Sequence, residues 1–373
     1  MRVSCLQENL AKGLATVGRA VATRSTLPVL SNVMLATDQG RLKLSATDLE
    51  IGIHCWTGAQ VEEEGAITVP ARLLVDFVNA LPVERIDMEL NVRTQELHLQ
   101  CARSEANIKG IDAQEFPLIP TADDGDHQLT LETSLLRQMI DQVAFAAATD
   151  ESRPILTGVL VKFDGPQLTM AAADGFRLSV RHARLENPVP EPVSVIIPAR
   201  ALAELGRISS DEDLPISLSI ASNRNQVLFH LSNTDLVSQL IEGRFPDYDQ
   251  IIPKSYDTQT TVGTNEFLKA CRTANIFARS EANIVRVRVG EDRMVIAASS
   301  AEMGDNVSEI DAQVSGEPVE IAFNVRFLMD VLSVADAAQV VLETATPSSP
   351  GVIKPVGAED FVYVIMPMHI RSD

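Results

Sequence analysis

The chain has 373 residues, 45% of them hydrophobic and only 4% aromatic, with a formal net charge of -20. That length suits two or three domains with ample buried core, and those cores must be filled mainly by Leu, Ile, Val, Ala and Met. The acidic excess opposes non-specific adhesion to a polyanion, so any such partner requires cations gathered on one surface. No segment reaches about 18 uninterrupted apolar residues, which excludes a membrane-spanning helix. The opening run carries Glu8 and Lys12 inside its apolar pattern, unlike a signal peptide, and a cytoplasmic protein is expected. Cys5, Cys55, Cys101 and Cys271 form no close pair and no metal spacing, and are expected to be buried thiols.

In chain order, "LQENLAKGLATVGRAV" from 6 reads as a helix whose Leu6, Leu10, Leu14, Val17 and Val21 share one face, with Lys12 and Arg19 opposite. Alternating strand-like text follows as "LKLSATDLEIGI" from 42, then a helix opened by Pro70 in "TVPARLLVDF". "AQEFPLIP" at 113–120 closes the segment, and the acidic stretch "ADDGDH" at 122–127 reads as a solvated linker rather than a calcium loop. The same order then recurs. "TSLLRQMIDQVAFA" from 133 and "TNEFLKACRTANIF" from 264 are helices whose leading Thr residues suit N-capping, the second burying Phe267, Cys271 and Ala274 and exposing Lys269 and Arg272. "LTMAAADGFRLSV" from 168 and "MVIAASSAEMGDNVSEI" from 294 are strand-like, and "IIPARALAEL" and "AFNVRFLMDV" repeat the Pro70 helix. "EGRFPDYDQIIP" ends the second copy, and "VYVIMPMHIR" ends the third.

Pro70, Pro198 and Asn324 stand 128 and 126 residues apart, too far for a solenoid repeat, so these are three domain-sized copies. Boundaries are expected to give domains at 1–123, 124–254 and 255–373. Each copy holds two helices and many strands joined by short connections, which predicts an α+β fold with helices on antiparallel sheets. In the repeated helix Leu74, Leu202 and Leu328 are equivalent core positions, and Arg72, Arg200 and Arg326 lie two residues earlier on the opposite side. Arg207 shares the polar face of Arg200, while Glu8, Asp76 and Glu204 place acids on these same faces. One such Arg is an ordinary surface residue; the same Arg in three copies implies cations converging if the copies surround an axis. Lys12, Arg19, Arg72, Arg137, Arg153, Arg200, Arg207, Lys269, Arg272 and Arg326 are the candidates to face the phosphates of duplex DNA, held without base readout.

At this point the chain resembles the bacterial sliding-clamp family, the β subunits of replicative DNA polymerase III. The resemblance rests on "RSTLPVLSNV" at 24–33, "ATDLE" at 46–50, "TVPAR" at 68–72, "ADGFRL" at 173–178, "EGRFPDY" at 242–248, "FNVRFLMDVL" at 323–332 and "YVIMPM" at 363–368. It implies a head-to-tail homodimeric ring that encircles DNA as a processivity factor, joined through Ile108 in domain one of one protomer and Ile276 and Phe277 in domain three of the next. It also implies a pocket for short linear motifs of the polymerase III catalytic subunit, clamp-loader subunits, other polymerases and repair proteins. Carried over by position, that pocket comprises Leu156, Thr157, Asp174, Gly175, Phe176, Arg177, Leu178, Pro246, Gln250, Ile251, Thr346, Val364, Ile365, Met366, Pro367, Met368 and His369. Phe176 stands where the family often has His, Gln250 where it has Arg, and His369 where Arg or Lys often follows, so the rim is less basic and more apolar. The resemblance also implies that Arg24 faces DNA, matching a DNA-touching arginine of the family, and Asp150 takes the place of a DNA-contacting Gln.

No GxSxG, P-loop, GxGxxG or HExxH motif occurs, and no two His residues sit at ligand spacing, so neither catalysis, a metal nor a cofactor is expected. Two rival readings remain beside the clamp: a hydrolase using Asp174 and Arg177, and a scaffold ring that never meets DNA.

Overall fold

A computed structural model describes residues 1–120, 127–221, 225–280 and 282–369. Residues 122–126 of the acidic stretch, with the boundary expected at 123/124, and Ile370 lie outside the described residues. Six α-helices are described: α1 (Gln7–Val17), α2 (Ala71–Ala80), α3 (Thr133–Val143), α4 (Ala199–Ile208), α5 (Thr264–Ala278) and α6 (Val325–Val334), two for each copy. The strands form sheets of five, eight and twelve, and every strand pairing among the described residues is antiparallel.

The repeat governs register as well as element order. The residue before α2, α4 and α6 pairs with the start of its copy's first hairpin, as Pro70 with Asn32, Pro198 with Gly158 and Asn324 with Ile284. Leu74, Leu202 and Leu328 are buried beneath those helices, and Phe267, Cys271 and Ala274 beneath α5, as the periodicity predicts.

Several local expectations are corrected. Pro70 and Asn324 are N-caps rather than first helical residues, and the Asn324 side chain accepts from Arg326 N. Thr133 and Thr264 do not cap: each hydroxyl donates to a carbonyl of a following segment, Leu214 O at 2.6 Å and Ala337 O at 2.7 Å. Glu132 instead accepts from the Ser134 and Leu135 backbone N–H groups. Leu6 ends the strand Arg2–Leu6 and is exposed, while Gln7 takes the buried position and donates to Val78 O at 2.8 Å. A strand precedes the first helix in every copy, a feature the strong 3.6-residue pattern of the helix concealed. The strand-like texts from 42, 168 and 294 each contain a turn, so each is a hairpin rather than one strand.

Compactness divides the chain into two units rather than three: residues 1–136 with 204–240, and residues 137–203 with 241–373. The reason is strand exchange between copies. In the first unit Thr234–Gln239, the last strand of copy two, pairs with Ile51–Thr57 of copy one. In the second unit Phe361–Ile365, the last strand of copy three, pairs with Arg177–Arg184 of copy two. The last strand of copy one, Ser104–Lys109, lies at the edge of the five-stranded sheet with one side open. Its complement also exists: Gly304–Gly316, the copy-three counterpart of Ile51–Thr57, pairs with Arg293–Ser300 through residues 304–311 and with Thr258–Gly263 through residues 312–316, so residues 304–311 have one side open.

Candidate peptide groove and duplex-facing helices

Within the second unit, the turn Asp174–Arg177 is built by its first residue. Asp174 Oδ1 accepts from Phe176 N at 2.8 Å and Arg177 N at 3.0 Å, and Gly175 has a φ of +92°, which favours a residue without Cβ. The Phe176 carbonyl accepts from Met366 N at 2.8 Å, and Met368 N donates to Ala322 O at 2.8 Å, so the Met-Pro-Met segment is held at both ends. Leu178 and Val364 face each other across the strand pair and form a buried floor with Phe245 and Val352. Phe176 is 57%, Ile251 39% and Met366 37% exposed, three large apolar side chains left in solvent. Leu156 and Thr157 lie on the 3-10 turn Pro154–Thr157, half-buried, and Pro246 and His369 are exposed. Gln250 Nε2 donates to Asp247 Oδ2 at 2.8 Å, and Thr346 is engaged with Ser349 in its own loop at 2.7 Å.

Two expected lining residues differ. Ile365 points to the other side of the sheet and is fully buried in the core around Phe323 and Tyr363, because side chains alternate along a strand. Arg177 is a buried cation rather than a free one. Its guanidinium bonds Asp174 Oδ2 at 3.0 Å, Asp330 of α6 and Phe145 O at 2.8 Å, and stacks 4.3 Å from the Phe327 ring centre. Burial disfavours that charge, yet Tyr363 and Asp330 outweigh it and raise the pKa. Asp174 and Arg177 thus hold a turn, and neither is free to act as a catalytic acid or electrophile.

The candidate cations occupy varied settings. Arg72, Arg200, Lys269, Arg272 and Arg326 are exposed on their helices, and Arg24 is exposed in the bend before Pro28. Arg72 Nε lies 3.9 Å from Asp76. Lys12 Nζ is 3.3 Å from Asp211, and Arg19 and Arg207 both reach Glu204, at 3.0 and 2.6 Å. Arg137 is half-buried in α3. Arg153, expected along the duplex, lies against the Gly175 turn, where an added Cβ would come within 2.9 Å of its Nη1. Asp150 accepts from Ser152 N and Oγ at 2.9 and 2.6 Å, and the Ser152 bonds hold its carboxyl below the usual range. Ile108 is buried in its own sheet at 3% exposure, whereas Ile276 is 49% exposed and Phe277 half-buried. An acid stands one turn after each repeated Arg (Asp76, Glu204, Asp330), an Arg-x-x-x-acid spacing present in all three copies.

Comparison with known proteins places this architecture among DNA sliding clamps. Models of the N-terminal, central and C-terminal domains of the DNA polymerase III beta subunit match residues 1–120, 130–247 and 249–369. The beta sliding clamp of Synechococcus elongatus is 34% identical over 379 aligned positions, covering 100% of both chains. That of Staphylococcus aureus is 33% identical over 94% of both. The crystal structure of the DNA polymerase sliding clamp from Bacillus subtilis superposes with a TM-score of 0.93 at 29% identity, covering 99% of each chain. The chain belongs to the DNA polymerase III beta subunit family. It is a DNA sliding clamp, a processivity factor rather than a catalyst. Among the described residues no helix is long and apolar enough to cross a membrane.

Proposed function

We propose that two copies of this chain join head to tail into a ring that encloses duplex DNA, with clamp modules at 1–123, 124–254 and 255–373. The observation that carries this reading is the strand exchange. Copy two lends its last strand to copy one, and copy three lends its last strand to copy two. The last strand of copy one, Ser104–Lys109, therefore requires the open part of Gly304–Gly316 in another molecule, a heterologous contact that closes when the rotation sums to a full turn. Ile276 and Phe277 contribute apolar surface to that junction, and the backbone edge carrying Ile108 supplies its hydrogen bonds. Lys12, Arg19, Arg24, Arg72, Arg200, Arg207, Lys269, Arg272 and Arg326 would face the phosphates, with Arg137 contributing from α3. Such contacts hold a duplex without reading sequence.

The groove over Leu178 and Val364, rimmed by Phe176, Ile251 and Met366, takes short extended apolar motifs from the polymerase III catalytic subunit, the clamp loader, other polymerases and repair proteins. Arg153 belongs to this rim. Sedimentation equilibrium should give the mass of two chains, and a low-resolution image an annulus wide enough for a duplex. A monomer at micromolar concentration, or a closed particle without an opening, contradicts the ring. Titration with a labelled Gln-Leu-x-Leu-Phe peptide should saturate at one peptide per chain, and no binding contradicts the groove.

A further inference from the structure

We infer that Glu204 is an internal competitor for DNA phosphate, holding Arg19 and Arg207 partly neutralised so that the clamp grips the duplex weakly. The inference rests on the proposed placement of the α1 and α4 cations along DNA and deepens it. Glu204 is only 13% exposed, and its two oxygens divide between the two arginines: Oε2 accepts from Arg19 Nη1 at 3.0 Å and Oε1 from Arg207 Nη1 at 2.6 Å. Both are charge-assisted bonds, and the carboxylate that makes them is largely withdrawn from water. Asp211 plays a lesser part for Lys12, because both members of that pair are about three-quarters exposed.

The repeat supplies independent support. Asp76, Glu204 and Asp330 each follow the repeated Arg by four residues. Each pairs with an arginine: Asp76 with Arg72, Glu204 with Arg19 and Arg207, and Asp330 with Arg177. Asp76 and Glu204 thus engage candidate duplex-facing arginines while Asp330 is turned to the buried Arg177, and the acid of the first two copies is where a molecule of net charge -20 would set the strength of its hold. Phosphate must displace the carboxylate before either guanidinium contributes its full counterion release. Affinity and its salt dependence are both lowered, which favours diffusion along the duplex.

The test is fluorescence anisotropy of the full-length protein with a short labelled duplex across a salt series. It compares Glu204→Gln, the double variant Arg19→Ala with Arg207→Ala, and Glu115→Gln, which removes the same charge from an exposed turn. Glu204→Gln should bind about 3- to 10-fold tighter than Glu115→Gln at low salt, with a log–log salt slope steeper by up to about 2, near 0.9 for each cation released. The double variant should bind more weakly than the parent. If it binds unchanged, the placement of α1 and α4 along DNA fails. If it weakens binding while Glu204→Gln matches Glu115→Gln, the placement stands and the competitor role is overturned. Should Glu204→Gln lower the melting temperature, Asp211→Asn reads the same mechanism on an exposed pair: tighter binding supports it and unchanged binding overturns it.

Discussion

Replacing Arg177 by Ala separates a residue that shapes the groove from one that touches its ligand. Arg177 is only 10% exposed in its side chain and serves Asp174, Asp330 and the Phe145 carbonyl together. Removing one member of a buried ion pair costs about 3–5 kcal/mol, because the other charge stays desolvated. Asp330 is 43% exposed and regains water, and Asp174 keeps two backbone N–H donors, so the lower end applies, about 3 kcal/mol. In a unit of this size, roughly 2–4 °C of melting temperature accompanies each kcal/mol, so a fall of about 6–12 °C is expected by calorimetry. Peptide affinity should fall with it, since the turn carrying Phe176 loses its anchor. Asp330→Ala on top of Arg177→Ala should add little, because the two share one interaction. A variant that loses less than about 1 kcal/mol of stability yet binds peptide tenfold more weakly would refute the positioning role and make Arg177 a direct contact.

Further outcomes follow from the same structure. Met366→Ala should weaken peptide binding by about 1 kcal/mol or more, as truncating a partly buried anchor does, and an unchanged titration rejects Met366 as an anchor. Leu328→Ala, a fully buried position under α6, should cost about 2–5 kcal/mol in denaturant unfolding, and a cost below 1 would mean that α6 is not packed as described. Burial pushes His54 down to about 4, against Ser45 Oγ at 2.7 Å and Ile119 O at 3.3 Å. The unfolded chain therefore binds the extra proton first. The contribution of His54 is complete above its unfolded value near 6.5, and about 3 kcal/mol is lost as pH falls from there through 4; His54→Gln should flatten that part of the stability profile. Burial also raises all four thiols, Cys5 to about 12, so a thiol reagent should modify none of them before unfolding.

The periodic features of the sequence carried most of the fold. Leu74, Leu202 and Leu328 marked the repeat because burial on a helix leaves a 3.6-residue signature, and "ADGFRL" marked the turn because Asp followed by Gly has its own local chemistry. What escaped was non-local. Nothing in Thr133 or Thr264 distinguishes a hydroxyl that caps its own helix from one that binds Leu214 or Ala337 more than 70 residues away. The exchange of strands between copies is likewise a matter of pairing, and it is why compactness cuts through the second copy. Around the Asp174–Arg177 turn, side-chain direction was not legible: Ile365 turns to the core by strand alternation, and the Asp174 and Asp330 carboxylates around Arg177 decide that it props the turn.

Retention on DNA of differing topology tests the ring most directly. The protein is loaded onto nicked circular duplex with a clamp loader and ATP, isolated by gel filtration, and measured before and after a single restriction cut. A closed ring held by topology remains on the circle and is lost once ends exist. Equal retention on circle and linear DNA would mean surface adhesion, and failure to load on either would remove duplex DNA from within the ring.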